Sequence, residues 1–334
     1  MSKFNKFLAC FLIFVLCLSL FGCGGEVEVL DTTQPATEPV TQPAETDAPQ
    51  ESAISPALYL VTDQQGHKLW LFGSIHVGTE EFYPLPDYVT KAYESSDALA
   101  VEIDIVAMEE DIMGQMSLMQ MMLYTDGSNI SQHLPADTYQ RAVAILQENQ
   151  VYSPVLDVYY PAVWWSTIET LAYEKAGAHS EYGIDLNLLQ MAKKDGKEIL
   201  EVESAELQYG MMAGFSEDLQ AMLLQSAIES YENPSLTAAD CEDLLSMWSS
   251  GDVEAFSEYL QEEDSFEDEA EELLYQEYTQ ALVVTRNQTM TEYAENALLS
   301  GKEVFLCVGA AHIIGEGAIA ENLRQLGYTV ELVS

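Results

Sequence analysis

The stretch Val304-Phe305-Leu306-Cys307-Val308-Gly309-Ala310-Ala311-His312 decides how the chain is read. An apolar run rich in β-formers stops at a glycine, and a histidine follows three residues later. Continuous apolar runs bounded by turn residues are the pattern of buried strands. The same pattern occurs in Leu69-Trp70-Leu71-Phe72-Gly73-Ser74-Ile75-His76. Each Gly-x-x-His therefore falls where a central strand ends, the edge on which open α/β sheets gather their chemistry. Each is followed by a helical segment and another strand, Ala98 to Ile103 and Thr329 to Val333. Two such halves would bring two imidazoles to one point, as a metal site requires.

Working outward, the expected fold class is α/β (α+β). A central mixed sheet forms from two similar strand–Gly-x-x-His–helix–strand halves, with a large inserted helical region. Residues 108–290 make up that insertion, mostly helical around a strand near 198–203. Ala57 to Val61 and His67 to Phe72 flank Asp63-Gln64-Gln65-Gly66 and predict a β-hairpin, with His67 facing solvent at its turn. A helix should start near Pro86 and run to about Ser95. Glu102 follows in a strand that should be buried, and a buried carboxylate is costly unless it is paired or binds a cation.

The insertion carries its own signals. Methionines between Met108 and Met122 read as core packing or as a mobile wall of the site, with Cu(I) binding the rarer use of such clusters. Tyr159-Tyr160-Pro161-Ala162-Val163-Trp164-Trp165 opens a helix and either packs a core or lines a pocket. His133 reads as an incidental loop residue. Tyr182-Gly183-Ile184-Asp185 reads as a turn and helix start, with Asp185 either a helix-terminus carboxylate or a site residue. Glu203 and Glu206 follow a third strand end. From Phe215 to Met290 the chain is helical and acidic, and the run Glu262 to Glu272 reads as solvated. Arg286 either stabilises an anion or pairs with buried carboxylates. Gly315-Glu316-Gly317 should start a helix whose amides face the edge that carries His312.

Composition bounds the partners. The 334 residues, 48% of them hydrophobic, can bury a substantial core. Twelve basic residues against 56 acidic ones leave a net charge of −44, which repels phosphate backbones and argues against nucleic acid. Such a surface attracts cations and keeps a protein soluble, as a monomer or weak dimer.

Residues 1–22 read as a lipoprotein signal peptide: Lys3 and Lys6 precede an apolar stretch from Phe7 to Phe21. Leu20-Phe21-Gly22-Cys23 resembles a bacterial lipoprotein cleavage site, and processing there would leave Cys23 diacylated and membrane-anchored. Residues 23–56 read as a disordered, acidic, Pro- and Thr-rich tether. The folded domain spans 57–334, outside the cytoplasm. Cys241 and Cys307 alone remain in it, so any metal must be held by nitrogen and oxygen; sequence does not settle whether the two form a disulfide.

The ordered set of Gly73-Ser74-Ile75-His76, the strand with Glu102, Tyr182-Gly183-Ile184-Asp185, Glu203 to Gln208, Arg286-Asn287 with Met290, and Gly309-Ala310-Ala311-His312 resembles the TraB/PrgY/GumN family. That family is related to the Tiki metalloproteases, and the resemblance runs from about Tyr59 to Val333. It implies a divalent-metal site of paired Gly-x-x-His histidines and an acid, matched by His76, His312 and Glu102. In the Tiki branch it implies peptide-bond hydrolysis supported by manganese or cobalt. Other branches are linked to shutting down peptide pheromones or to polysaccharide gene clusters. Glu203, Arg286 and Asn287 match neighbouring positions.

Two imidazoles and a carboxylate would leave an ion a position for water, and the ligand set also permits zinc. No His-Glu-x-x-His helix is present, which excludes an ordinary zincin. The expectation is a lipid-anchored extracytoplasmic metal-dependent hydrolase, peptidase-like, acting on a peptide or protein. His76, His312 and Glu102 would hold the metal, Glu203 would act as base (Glu206 being an alternative), and Arg286 and Asn287 would position substrate or stabilise an oxyanion. The alternatives are a non-enzymatic lipoprotein that sequesters a peptide or small ligand in the same cleft, and an acidic cation-binding scaffold.

Overall fold

The two apolar runs become neighbouring parallel strands. The computed structural model describes residues 52–261 and 269–333. The expected signal peptide, Cys23, most of the expected tether and most of the acidic run after Gln261 lie outside the described residues. The strands are β1 (Leu58–Thr62), β2 (Lys68–Ser74), β3 (Ala98–Val101), β4 (Glu198–Glu201), β5 (Val304–Gly309) and β6 (Thr329–Leu332). They form one mixed sheet in the order β4-β3-β5-β2-β1-β6. β2, β5, β3 and β4 run parallel, while β1 is antiparallel to β2 and to β6. The fold is α+β, with a large helical insertion between β3 and β5.

The helices, in chain order, begin with α1 (Asp87–Ser95), α2 (Ile105–Glu110), α3 (Ile112–Met121) and α4 (Ala136–Glu148). Then come α5 (Pro161–Ala176), α6 (Ile184–Asp195), α7 (Ala205–Ala213), α8 (Glu217–Glu232) and α9 (Pro234–Ser250). The last are α10 (Val253–Gln261), α11 (Glu269–Thr279), α12 (Thr285–Ser300), α13 (Ala310–Ile313) and α14 (Ile319–Gln325). A π-turn, Gln280–Val284, runs from α11 into α12. No helix among the described residues is long and apolar enough to cross a membrane.

Two apolar cores result. One surrounds β2, β3 and β5, with Leu69, Leu71, Phe72, Leu99, Phe305 and Leu306 fully enclosed. The other fills the insertion, where α5 packs along α8 around Trp164, Trp165, Leu223 and Leu224. α5 is buried along most of its length because hardly a polar residue interrupts Pro161 to Ile168. Pro161 fits its first turn, where no amide partner is lost. Cys241 and Cys307 are both free and buried.

Several local expectations shift. The two halves are alike in sequence, yet β3 lies beside β5 while β6 crosses to the far edge beside β1. The strand before Glu102 ends at Val101, because the chain turns there for Asp104 to cap α2 by accepting from the Ala107 amide. The helix expected at Gly315 starts only at Ile319: Gly315 and Gly317 take positive φ values of 111° and 68°, which no right-handed helix includes. The end of the expected tether is docked, with Ser55 N donating to Ser249 O at 2.7 Å.

Register decides where the histidines go. Gly73 lies opposite Val308, and Ser74 opposite Gly309, so both Gly-x-x-His turns leave the sheet side by side. A Cβ on Gly73 would sit 2.9 Å from the Ala310 Cα, a backbone atom with no room to move. Gly73→Ala should therefore destabilise the protein by about 1–3 kcal/mol. Urea unfolding checks this; an unchanged midpoint would mean that the two turns do not touch.

Candidate functional site

At the C-terminal edge of β2, β3 and β5 the chain gathers His76, Glu102, Asp185, Glu203, Gln208, Arg286, Asn287 and His312. Glu102 and Glu203 each come just after a strand end, and the Glu203 amide donates to the Glu102 carbonyl at 3.0 Å, which holds the two side by side. Arg286, on the first turn of α12, joins their carboxylates. Its Nη2 lies 2.5 Å from Glu102 Oε2 and 2.7 Å from Glu203 Oε2, and its Nε donates to Glu203 Oε1 at 2.8 Å. Gln208 on α7 adds a bond to Glu203 Oε2 at 2.7 Å. Arg286 is 4% exposed, Glu203 7% and Glu102 9%. The cost of burying Glu102 is thus met first by a guanidinium.

The remaining oxygen of Glu102 faces the histidines. Oε1 accepts from the Gly309 amide at 2.8 Å and lies 4.0 Å from His312 Nε2. His312 is fully buried, and its Nδ1 lies 2.7 Å from Asn287 Oδ1. Asn287 in turn donates to Gly317 O at 3.0 Å, so its amide oxygen must face the ring and Nδ1 carries the proton. His76, half-buried, places Nδ1 2.7 Å from Asp185 Oδ2, while Asp185 Oδ1 accepts from Ser74 Oγ at 2.6 Å. Each ring is therefore backed at Nδ1 by an oxygen, the outer-shell pattern that orients imidazole ligands.

Charge follows from this layout. Burial works against ionising Glu102, but Arg286 first, then His312, His76 and the Gly309 amide, hold its carboxyl well below the usual carboxylate range. Burial also opposes a charge on His76; Asp185 and then Glu102 outweigh it and push the ring up to about 9. Burial and Arg286 together drive His312 down to about 3, against the pull of Glu102. One imidazole is held charged and the other neutral at neutral pH.

Among the described residues, no group of three or more His, Cys, Asp or Glu is drawn together tightly enough to hold a metal as the side chains stand. The donor chemistry nevertheless fits one. Ligand bonds of about 2.0–2.2 Å place two donors of one ion no more than about 4 Å apart, and His312 Nε2 and Glu102 Oε1 are 4.0 Å apart. The Nδ1 partners also select Nε2 as the ligating atom on both rings.

The sequence-derived candidates meet here. Glu203 has both oxygens engaged by Arg286 and Gln208, whereas Glu206 is exposed on α7. Asn287 stands behind His312. Asp185 proves to be both a first-turn helix carboxylate and the partner of His76. Gln208 carried no individual role in the sequence reading; it appeared there only as the end of the Glu203 to Gln208 stretch. His133 is not incidental: it stacks on Tyr124 and lies 3.1 Å from Glu217.

Comparison with known proteins identifies relatives of the chain. "Uncharacterized protein YbaP" of Escherichia coli (strain K12) is 27% identical over 256 residues, covering 76% of this chain and 87% of that protein. "Metalloprotease TIKI2" of Danio rerio is 25% identical over 308 residues, covering 78% of this chain and 58% of the fish protein. The protein of the same name from Xenopus tropicalis is 25% identical over 318 residues, covering 82% and 59%. No solved structure gives a significant match. The model of the TraB/PrgY/gumN family matches residues 57–332, from the first residues of the sheet to its last strand with every site residue inside, and the chain belongs to that family.

Proposed function

We propose that the protein is a metal-dependent, peptidase-like hydrolase, anchored outside the cytoplasm by a lipid on Cys23 and acting on a peptide or protein. The observation that carries this reading is the convergence of both Gly-x-x-His histidines on Glu102 at one sheet edge, each ring backed at Nδ1. Similarity to proteins named metalloproteases supports it. His76, His312 and Glu102 would hold the ion. When bound, a divalent ion supplies Lewis acidity and lowers the pKa of coordinated water. Manganese, cobalt and zinc all suit a ligand set of two nitrogens and an oxygen.

The surrounding residues set the ligands' state. Asp185 and Asn287 fix the two tautomers. Arg286 keeps Glu102 ionised, so that Oε1 remains a ligand even at mildly acid pH. Glu203, expected as a base, already accepts from Arg286 through both oxygens and from Gln208 through Oε2, and in this reading it positions Arg286. Ligation requires His76 to give up its proton to solvent.

A second reading, a non-enzymatic binder, draws on the fact that Arg286 already neutralises Glu102. One experiment separates the two. Elemental analysis of the purified protein should find near-stoichiometric manganese, cobalt, zinc or iron, and the His76→Ala/His312→Ala variant should hold none. A peptide library incubated with the loaded protein should then be cleaved, and not by the variant. A protein that stays metal-free after reconstitution, yet still retains peptides, is the binder.

A further inference from the structure

A second concave site lies in the helical insertion and shares no lining residue with the histidine cleft. It is a cavity of about 200 Å³ where α5 and α8 begin. Its walls are aromatic. Tyr124 and His133 stack with centroids 4.2 Å apart and planes 9° from parallel, and Tyr160 stands perpendicular to Tyr124 at 4.7 Å. His133 is held in that stack by Ser128 Oγ at 2.7 Å from Nε2 and by Glu217 at 3.1 Å from Nδ1.

The wall also carries a buried acceptor without a matching donor. Gln220, 5% exposed, donates its Nε2 to the carbonyl of Phe215 at 3.0 Å. A carbonyl can only accept, so the amide cannot be flipped, and its buried Oε1 has no partner. An orphaned buried acceptor is costly unless something donates to it. The carboxylate of Glu217 adds negative charge at the rim. Burial, followed by Glu217, Tyr160 and Asp126, pushes the Tyr124 hydroxyl up, so it stays neutral. No lysine or arginine lines the cavity.

These features select the ligand by elimination. An anion would meet the Glu217 carboxylate with no lysine or arginine to offset it. An apolar group would leave Gln220 Oε1 unsatisfied. A cation bearing N–H groups uses both the acceptor and the carboxylate, beside an aromatic wall. The overall charge of −44 draws it in. We propose that this cavity binds a guanidinium or primary ammonium group, the end of an arginine or lysine side chain or of a small free amine. The inference goes beyond the hydrolase reading and does not depend on it.

The test is calorimetric titration of the purified full chain with N-acetyl-arginine amide, with its uncharged counterpart N-acetyl-citrulline amide, and with agmatine. The arginine compound should bind, and the citrulline compound should bind roughly tenfold more weakly or not at all. Gln220→Leu and Glu217→Gln should each weaken arginine binding several-fold, at unchanged metal content. Agmatine binding as tightly as the arginine amide would assign the site to free cations, and weaker binding to peptide side chains; either supports the proposal. Equal binding of arginine and citrulline amides overturns it. So does no binding at millimolar concentration, or binding that neither substitution weakens. Glu217 is exposed, so Glu217→Gln keeps the test decisive if Gln220→Leu fails to fold.

Discussion

Arg286→Ala should lower the free energy of unfolding by about 3–5 kcal/mol, the largest loss expected from any single substitution in the cleft. The reason is asymmetric. A complete buried ion triad adds little over well-packed apolar residues, since desolvation cancels much of the attraction. Removing only the cation strands two carboxylates, Glu102 and Glu203, that share Arg286 Nη2 at 2.5 and 2.7 Å. Gln208 alone cannot neutralise them. Urea unfolding of the metal-free protein measures the loss. Adding Glu102→Gln and Glu203→Gln to Arg286→Ala should restore part of it, because the stranded charges are then gone. A loss below about 1 kcal/mol would show that water already reaches the carboxylates and that Arg286 is not their main partner.

The metal-free protein should be most stable near pH 6.5 and lose stability in both directions, each histidine accounting for one limb. His76 is raised from its ordinary 6.5 to about 9. The folded state therefore binds a proton more tightly than the unfolded chain, and this contribution is complete below pH 6.5 and vanishes as pH rises through 9. His312 is lowered to about 3. Below pH 6.5 the unfolded chain takes up a proton that folded His312 refuses, so stability falls as pH drops from 6.5 toward 3. Glu102, held ionised, adds to the same acid limb as pH falls below the ordinary carboxylate range.

The alkaline limb is worth about 3 kcal/mol and the His312 part of the acid limb about 5 kcal/mol. His76→Gln should flatten the alkaline limb and His312→Gln the acid limb. The −44 charge gives parent and variants a common background slope that their difference removes. Urea midpoints across pH, taken with a chelator, read the result. Parallel curves for parent and His76→Gln would show that Asp185 does not hold the charge of His76. Divalent metal should release protons on binding and should bind more tightly as pH rises.

How much of this was legible varies by residue. The two Gly-x-x-His turns, the strands ahead of them and the burial of Glu102 follow from apolar runs and their stops, which are local signals. The hairpin and α1 lie close to their expected bounds for the same reason. The pairing of Arg286 with Glu102 and Glu203 was open as one of two readings, because the partners lie 184 and 83 residues away along the chain. Gln220 and His133 carry no local pattern at all. Glu169 did have a signal, a carboxylate amid the apolar part of helix α5, and it is buried at 2% exposure with Oε1 unpartnered.

By itself the sequence determined which segments are strands and that two histidines leave strand ends after a glycine. Hydrophobic period and turn chemistry act within a few residues and need no knowledge of the rest of the chain. Only the tertiary structure decided that β2 and β5 are neighbours in the register that sets Ser74 opposite Gly309. It likewise decided that Asp185 and Asn287 back the two rings, and that Arg286 takes the oxygens of Glu203 which a base would need. Those choices depend on distance between residues far apart in sequence, and buried charges find their partners through packing rather than spacing.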